Sequence, residues 1–250
     1  MKAQLVDGKL ISAEIKAEAA EEAAALKEQG IEPCLAVVLV GDNSASKVYV
    51  SNKQKACEAV GIKSVSHVLP EATTEEELLK LIDELNADKS VHGILVQMPV
   101  PKHIDDRKVI MAISPDKDVD CFHPVNVGYL HTGAKGFLPC TPAGIIELIK
   151  RSGHSIAGKN CVVIGRSNIV GKPVAMLLMQ ENGTVTICHS KTQDLAGICR
   201  GADIIVSATG KVDTVTADMV KEGAISIDGG MNRNAEGKLC GDVDFENVKE

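Results

Sequence analysis

Val162-Val163-Ile164-Gly165-Arg166-Ser167-Asn168-Ile169-Val170-Gly171-Lys172-Pro173 reads as a buried β-strand, a tight glycine turn and the opening of a helix that runs on from Val174 to Gln180. This order aims backbone N–H groups and the positive end of a helix dipole at one spot, which suits a pyrophosphate. Gly165 permits the sharp turn, and Gly171 lets the helix pack close to the strand. The motif departs from G-x-G-x-x-G, because Ser167 stands where the second glycine is expected. Ordinary strand–helix connections also use such turns, so the residues of the next strand decide the meaning of this one.

That strand is Thr184-Val185-Thr186-Ile187-Cys188, ending at His189-Ser190-Lys191-Thr192. Sites that take NAD usually place an Asp or Glu at this strand end to hold the ribose 2′-hydroxyl. No acid stands here; Arg166, Ser190, Lys191 and Thr192 offer positive charge and hydroxyls, which fit a 2′-phosphate. The expectation is NADP rather than NAD. The bland alternative is that Arg166 and Lys191 are simply solvated.

Composition bounds the rest. The chain has 250 residues, 44% hydrophobic and 24% charged, the balance of a globular protein with one large domain or two of ordinary size. A net charge of −7, with 2% aromatic residues and no Trp, argues against a nucleic-acid or anionic-membrane partner. The first residues lack an apolar leader and no run is long enough to span a bilayer, so a cytoplasmic location is expected. The eight cysteines are scattered without a C-x-x-C pair, and the seven histidines show no ligand spacing, so no metal is expected.

Upstream of the glycine turn, residues 10–29 form an Ala/Glu-rich helix stopped by Gly30. Leu35 to Val40 is an apolar run of the kind buried on both faces. A helix from Ser44 to Val60, a strand from Val65 to Leu69 and a helix from Glu76 to Asn86 come next, the last opened by a capping box read as Thr73-Thr74-Glu75-Glu76. Gly93 to Gln97 is another buried strand, and the Gly/Pro-rich passage from Pro115 to Pro142 breaks the pattern. A helix from Thr141 to Lys150 leads into the dinucleotide unit, whose later strands are Asp203 to Ser207 and Ala224 to Asp228. Alternating strands and helices imply an α/β fold with parallel sheets. The expected architecture is two α/β lobes with a cleft between them: residues 1–138, and a Rossmann-like NADP-binding domain over 139–250.

Ligands of open α/β sheets sit beyond the carboxyl ends of the strands. In the first lobe that singles out Tyr49 and Lys53, four residues apart on one helix face, together with Gln97 and Asp120. Each has a bland reading. Tyr49 and Lys53 could be an amphipathic surface, Gln97 a strand cap, and Asp120 part of a solvated cluster with Lys117 and Asp118.

Five segments occur together in order: Tyr49-Val50-Ser51-Asn52-Lys53, Gly93-Ile94-Leu95-Val96-Gln97-Met98-Pro99, Pro115-Asp116-Lys117-Asp118-Val119-Asp120, Pro139-Cys140-Thr141-Pro142, and the glycine turn through Pro173. Together they closely resemble the bifunctional methylenetetrahydrofolate dehydrogenase/methenyltetrahydrofolate cyclohydrolase (FolD) family, from about residue 5 to the end. The resemblance implies NADP-dependent oxidation of 5,10-methylenetetrahydrofolate to the methenyl compound, then hydrolysis to 10-formyltetrahydrofolate, by a cytoplasmic homodimer. By the same resemblance Lys53 assists water attack, Tyr49 orients the folate and Gln97 hydrogen-bonds the lysine, while Asp120 grips the pterin edge. Gly165, Arg166, Ser167, Ser190 and Met231 match the family's cofactor contacts.

The sequence departs from the family at Cys121, where glycine is usual, and at Gly229 and Met231, where branched apolar residues are usual. It also ends at Glu250, ahead of the family's Pro-Gly-Gly-Val-Gly-Pro loop and final helix. Two other expectations therefore stand beside the bifunctional one: a single retained activity, or an NADP-binding protein with an incomplete folate site.

Overall fold

A computed structural model describes residues 3–250, the side chain of Ala45 excepted. The chain divides into two compact units, one of residues Ser12–Tyr129 with Lys135–Phe137, the other of the residues through Ile11, Leu130–Ala134 and Leu138–Glu250.

The elements up to residue 132 are α1 (Gly8–Glu28), β1 (Cys34–Val40), α2 (Ser44–Ala59), β2 (Lys63–Leu69), α3 (Glu75–Ala87), β3 (Gly93–Val96), α4 (Asp106–Ala112) and α5 (Pro124–Thr132). They build a parallel sheet in the order β2-β1-β3. β1 is central, and its period-two alternation feeds two cores. Ala36, Val38 and Val40 pack with Leu78, Ile82 and Leu85 of α3 and with Ile94 and Val96, while Val37 and Leu39 pack with Val50 of α2 and Leu95.

Local chemistry sets the helix starts. Asn43 accepts from Ser46 N and opens α2. The capping box lies one residue later than the sequence suggested. Thr74 is extended, its hydroxyl accepts from Glu77 N, and the Glu77 carboxylate accepts from Thr74 N at 2.8 Å. Thr73 instead closes the preceding turn, donating its N–H to Pro70 O at 3.0 Å.

The other unit contains α6 (Cys140–Arg151), β4 (Asn160–Ile164), α7 (Gly171–Gln180), β5 (Thr184–Cys188), α8 (Leu195–Arg200), β6 (Ile204–Ser207), β7 (Ile225–Asp228), a small antiparallel pair β8 (Asn232–Arg233) and β9 (Leu239–Cys240), and α9 (Phe245–Val248). Its main sheet is parallel with the order β5-β4-β6-β7. Val163, Ile204 and Val206 face Ile149 of α6 and Val174 and Leu178 of α7; Val162, Ile164 and Ile205 face Cys199 of α8 and Val215. With helices on both faces of a parallel sheet, the unit is doubly wound, as expected of a Rossmann-like domain.

Differences from the sequence reading are local. α7 starts at Gly171 rather than Val174, since Pro173 in a first turn loses no intrahelical bond. Gln97 lies just past β3, and the broken passage from Pro115 to Pro142 contains α5. The short α4, opened by Asp105 accepting from Arg107 N, was not anticipated. Among the described residues, no helix is long and apolar enough to cross a membrane.

Candidate active site

In the first sheet, Lys53 and Gln97 meet. Gln97 continues the ladder beyond β3 by donating its backbone N–H to Val38 O at 2.8 Å, which aims its side chain from the strand end. Its Nε2 donates to Met98 O at 2.8 Å, and that bond fixes which way the amide points. The carboxamide oxygen Oε1 accepts from Lys53 Nζ at 3.4 Å. Tyr49 stands one helical turn before Lys53 on α2 and is 40% exposed.

Asp120 reaches this corner through a strand-like segment. Asp118 bridges Ile94 of β3 in parallel, and Ile94 N donates to Lys117 O at 2.7 Å. Two residues on, Asp120 lines a small cavity together with Val96, and its carboxyl feels the charge of Lys53. Both ends of the segment are anchored. Lys117 Nζ donates to the carbonyls of Leu85, Asn86 and Asp88 at the end of α3. The buried Asp118 accepts from Phe122 N, His123 N and Asn126 Nδ2 at 3.3, 2.9 and 2.9 Å.

Burial pushes the Asp120 carboxyl above the usual carboxylate range; the Lys53 charge opposes this and the neighbouring Asp118 adds to it. Asp118 and Asp120 border an otherwise apolar cavity of about 10 Å³ with Ile94, Val96 and Phe122, room for a single water. Cys121 has φ of 58°, in the left-handed region that favours glycine, so a non-glycine residue there costs about 1 kcal/mol.

In the second sheet, Gly165 has φ of 129° and donates its N–H to Cys188 O at 2.9 Å, tying the ends of β4 and β5 together. A Cβ on Gly165 would run into the Ala208 carbonyl, and one on Gly171 into the Gly165 carbonyl. The close approach at Gly171 is thus to the turn itself rather than to the strand. Ser167 has a task of its own: its hydroxyl accepts from Val170 N and Gly171 N at 3.1 and 3.2 Å. That corrects the donor set expected for a phosphate, because the first helical N–H groups are already engaged. The N–H groups of Arg166, Ser167, Asn168 and Ile169 have no partner among the described residues and form the available cradle.

Arg166 and Ser190 are exposed at the ends of the neighbouring strands β4 and β5. The Ser190 loop is pinned by His189 N donating to Thr192 Oγ1 at 2.8 Å and Lys191 N donating to His189 Nδ1 at 3.1 Å. Met231 comes after β7, on the other side of β4, and is 59% exposed. The glycine turn and Ser190 are therefore neighbours, while Met231 shares only the sheet edge.

Residues 6–120 match the tetrahydrofolate dehydrogenase/cyclohydrolase catalytic domain, and residues 139–250 match the NAD(P)-binding domain of the same family. The chain belongs to the tetrahydrofolate dehydrogenase/cyclohydrolase family. It is 62% identical over 246 residues to the bifunctional protein FolD of Agathobacter rectalis, covering 98% of this chain and 88% of that one. Among solved structures, FolD from Campylobacter jejuni superposes with a TM-score of 0.95 at 53% identity, covering 98% of this chain and 88% of that one. The Trypanosoma brucei enzyme, complexed with NADP cofactor and inhibitor, gives 0.93 at 39% identity over 100% of this chain and 88% of that one. Tyr49, Lys53, Gln97 and Asp120 all fall within the family's catalytic domain, and the glycine turn, Ser190 and Met231 within its NAD(P)-binding domain.

Sequence reasoning missed the polar anchors. Asp118 and Lys117 looked like a solvated cluster, yet both are tied to backbone groups and Asp118 is buried. Asp228, Asn232 and Asp242 hold the ends of β6 and β7, and the signal that could have found them is the glycines beside them, Gly229, Gly230 and Gly241.

Proposed function

We infer that this chain is a bifunctional enzyme of one-carbon metabolism. It oxidises 5,10-methylenetetrahydrofolate with NADP and hydrolyses the methenyl product to 10-formyltetrahydrofolate. The observation that carries the hydrolytic half is the Lys53–Gln97 pair: an amine held on an oriented carboxamide, beside a desolvated carboxyl, within the family's catalytic domain.

In this reading Lys53 orients the attacking water and relays its proton, and Gln97 holds the amine in place. Asp120 accepts the paired N–H donors of an amino-pyrimidinone edge, and Tyr49 lines the same site. When bound, NADP supplies the hydride acceptor. The chain's part in that step is positioning: the free N–H groups of the turn hold the pyrophosphate, Arg166 and Ser190 take the 2′-phosphate, and Met231 borders the nicotinamide. The absence of an acid at the end of β5 supports NADP over NAD.

The functional division is taken at 138/139. A cytoplasmic homodimer is supported by the resemblance and by β5 being an edge strand with Ile187 38% exposed. The charge of −7 supports small-molecule rather than nucleic-acid partners.

The test is a paired assay on the 250-residue chain: NADPH formation from 5,10-methylenetetrahydrofolate, and loss of methenyltetrahydrofolate without cofactor. Both activities are expected. NADP binding with neither activity would overturn the reading.

A further inference from the structure

We propose that Asp242 is a positioning residue for the nicotinamide half of the dinucleotide, through the two backbone segments that leave β6 and β7. The proposal rests on the dinucleotide reading of this sheet edge.

Asp242 is fully buried, and both carboxylate oxygens are saturated. Oδ2 accepts from Ser207 Oγ at 3.0 Å, Thr209 N at 2.6 Å, Thr209 Oγ1 at 2.9 Å and Gly210 N at 3.3 Å. Oδ1 accepts from Lys211 N at 3.0 Å and Asn232 Nδ2 at 2.8 Å. A buried carboxylate stays ionised only when donors replace its water, and this one has them from two separate stretches of chain.

Asp228 answers from the other side. Its Oδ1 accepts from Gly230 N and Asp242 N, and its Oδ2 from Val243 N, each at 2.9 Å. The lock needs glycine at both crossings. A Cβ on Gly230 would strike the Asp242 carboxylate, and one on Gly241 would strike that of Asp228.

Topology says which half of the cofactor this serves. In the order β5-β4-β6-β7, the crevice opens between β4 and β6. Arg166 and Ser190 lie toward β5, so the adenosine side is there, and the ends of β6 and β7 face the nicotinamide side. Asp242 holds residues 209–211 after β6 and, through Asn232, the stretch carrying Met231 after β7. The next residue back, Ala208, presents its carbonyl where a Cβ of Gly165 would stand, so the same segment abuts the phosphate turn.

Asp242→Asn keeps the shape but turns an NH2 toward N–H donors, which loosens both segments. The milder Thr209→Val removes a hydroxyl that donates to Asp242 and accepts from Lys211 N. Misplacement of reacting groups by about 1 Å costs about a hundredfold in rate, so the dehydrogenase kcat is expected to fall about a hundredfold in Asp242→Asn and about tenfold in Thr209→Val. Binding of adenosine 2′,5′-bisphosphate, and the cyclohydrolase rate of the same preparation, should stay within about twofold. An unchanged kcat, or parallel loss of kcat and fragment affinity in Thr209→Val, would overturn the proposal. Should Asp242→Asn lose fragment binding as well, the Thr209→Val result decides. Arg166→Ala separates the two claims: it should weaken the fragment, and if it does not, the dinucleotide reading of the edge fails whatever Asp242 does.

Discussion

Replacing Lys53 by Met removes the amine and keeps the aliphatic stem. The bond lost to Gln97 Oε1 is 3.4 Å long and only half-buried, so its contribution to stability is at the low end, about 1 kcal/mol. A side chain that orients water and relays a proton contributes about 10²–10⁴ in rate, or about 3–5 kcal/mol of transition-state stabilisation. The catalytic loss should therefore exceed the folding loss by about 2 kcal/mol or more. Arg166, Ser167 and Ser190 belong to the other compact unit, so NADP affinity should change by less than about twofold. There is a second signature. Burial pushes the Asp120 carboxyl up and the Lys53 charge opposes it, so without Lys53 the carboxyl rises further and the acid limb of the residual activity moves to higher pH. The assay tracks methenyltetrahydrofolate loss against pH, with NADP binding measured by calorimetry on the same protein. A cyclohydrolase rate within about threefold of the parent, or equal losses of hydrolysis and NADP affinity, would refute the role given to Lys53.

Asp120→Asn should raise Tm at pH 7 while depressing folate-dependent rates. A carboxyl raised in the folded state costs stability once pH climbs from the unfolded value, about 3.9, through the folded one, and the amide removes that cost; an unchanged or lower Tm would argue that hydrogen bonds to Asp120 outweigh its desolvation. Alkylation at pH 8 should modify the exposed Cys140 first. Burial pushes Cys161 and Cys199 up to about 11, so labelling of either before unfolding would contradict their placement in the core.

What the sequence disclosed depended on whether a signal was local. The runs of β1 and β4 are apolar on both faces, and their continuity alone identified buried parallel strands. β5 was legible to the residue because turn signals bracket it. α4 escaped notice because its seven residues bury only Val109, too few positions to set a period. The capping box was displaced by one residue because Thr73 and Thr74 are adjacent, each with an acid three positions on; the backbone conformation at Thr74 decides between them. In the site, Lys53 and Tyr49 share a helix face and could be paired from spacing, but the Lys53–Gln97 contact spans 44 residues and was reached only through resemblance.

A half-buried and a fully buried carboxylate show why the remaining residues could not be ranked by composition. Asp120 ends one Asp-Val-Asp run, residues 118–120, and Asp242 begins another, residues 242–244, so composition alone does not rank the four carboxylates. Their environments drive them apart. Desolvation dominates at Asp120 and pushes its carboxyl up, whereas at Asp242 burial is outweighed by donors from Thr209, Asn232 and Ser207, which hold the carboxyl below the ordinary range. Their linkage to folding has opposite sign. Asp120 costs stability above its raised value, while Asp242 contributes stability above the unfolded value that is lost as pH falls through its depressed one. A carboxyl with few partners has capacity left for a ligand's donors, which suits a substrate-gripping role. One already saturated by its own chain has none, and can act on a ligand only by fixing the backbone that meets it.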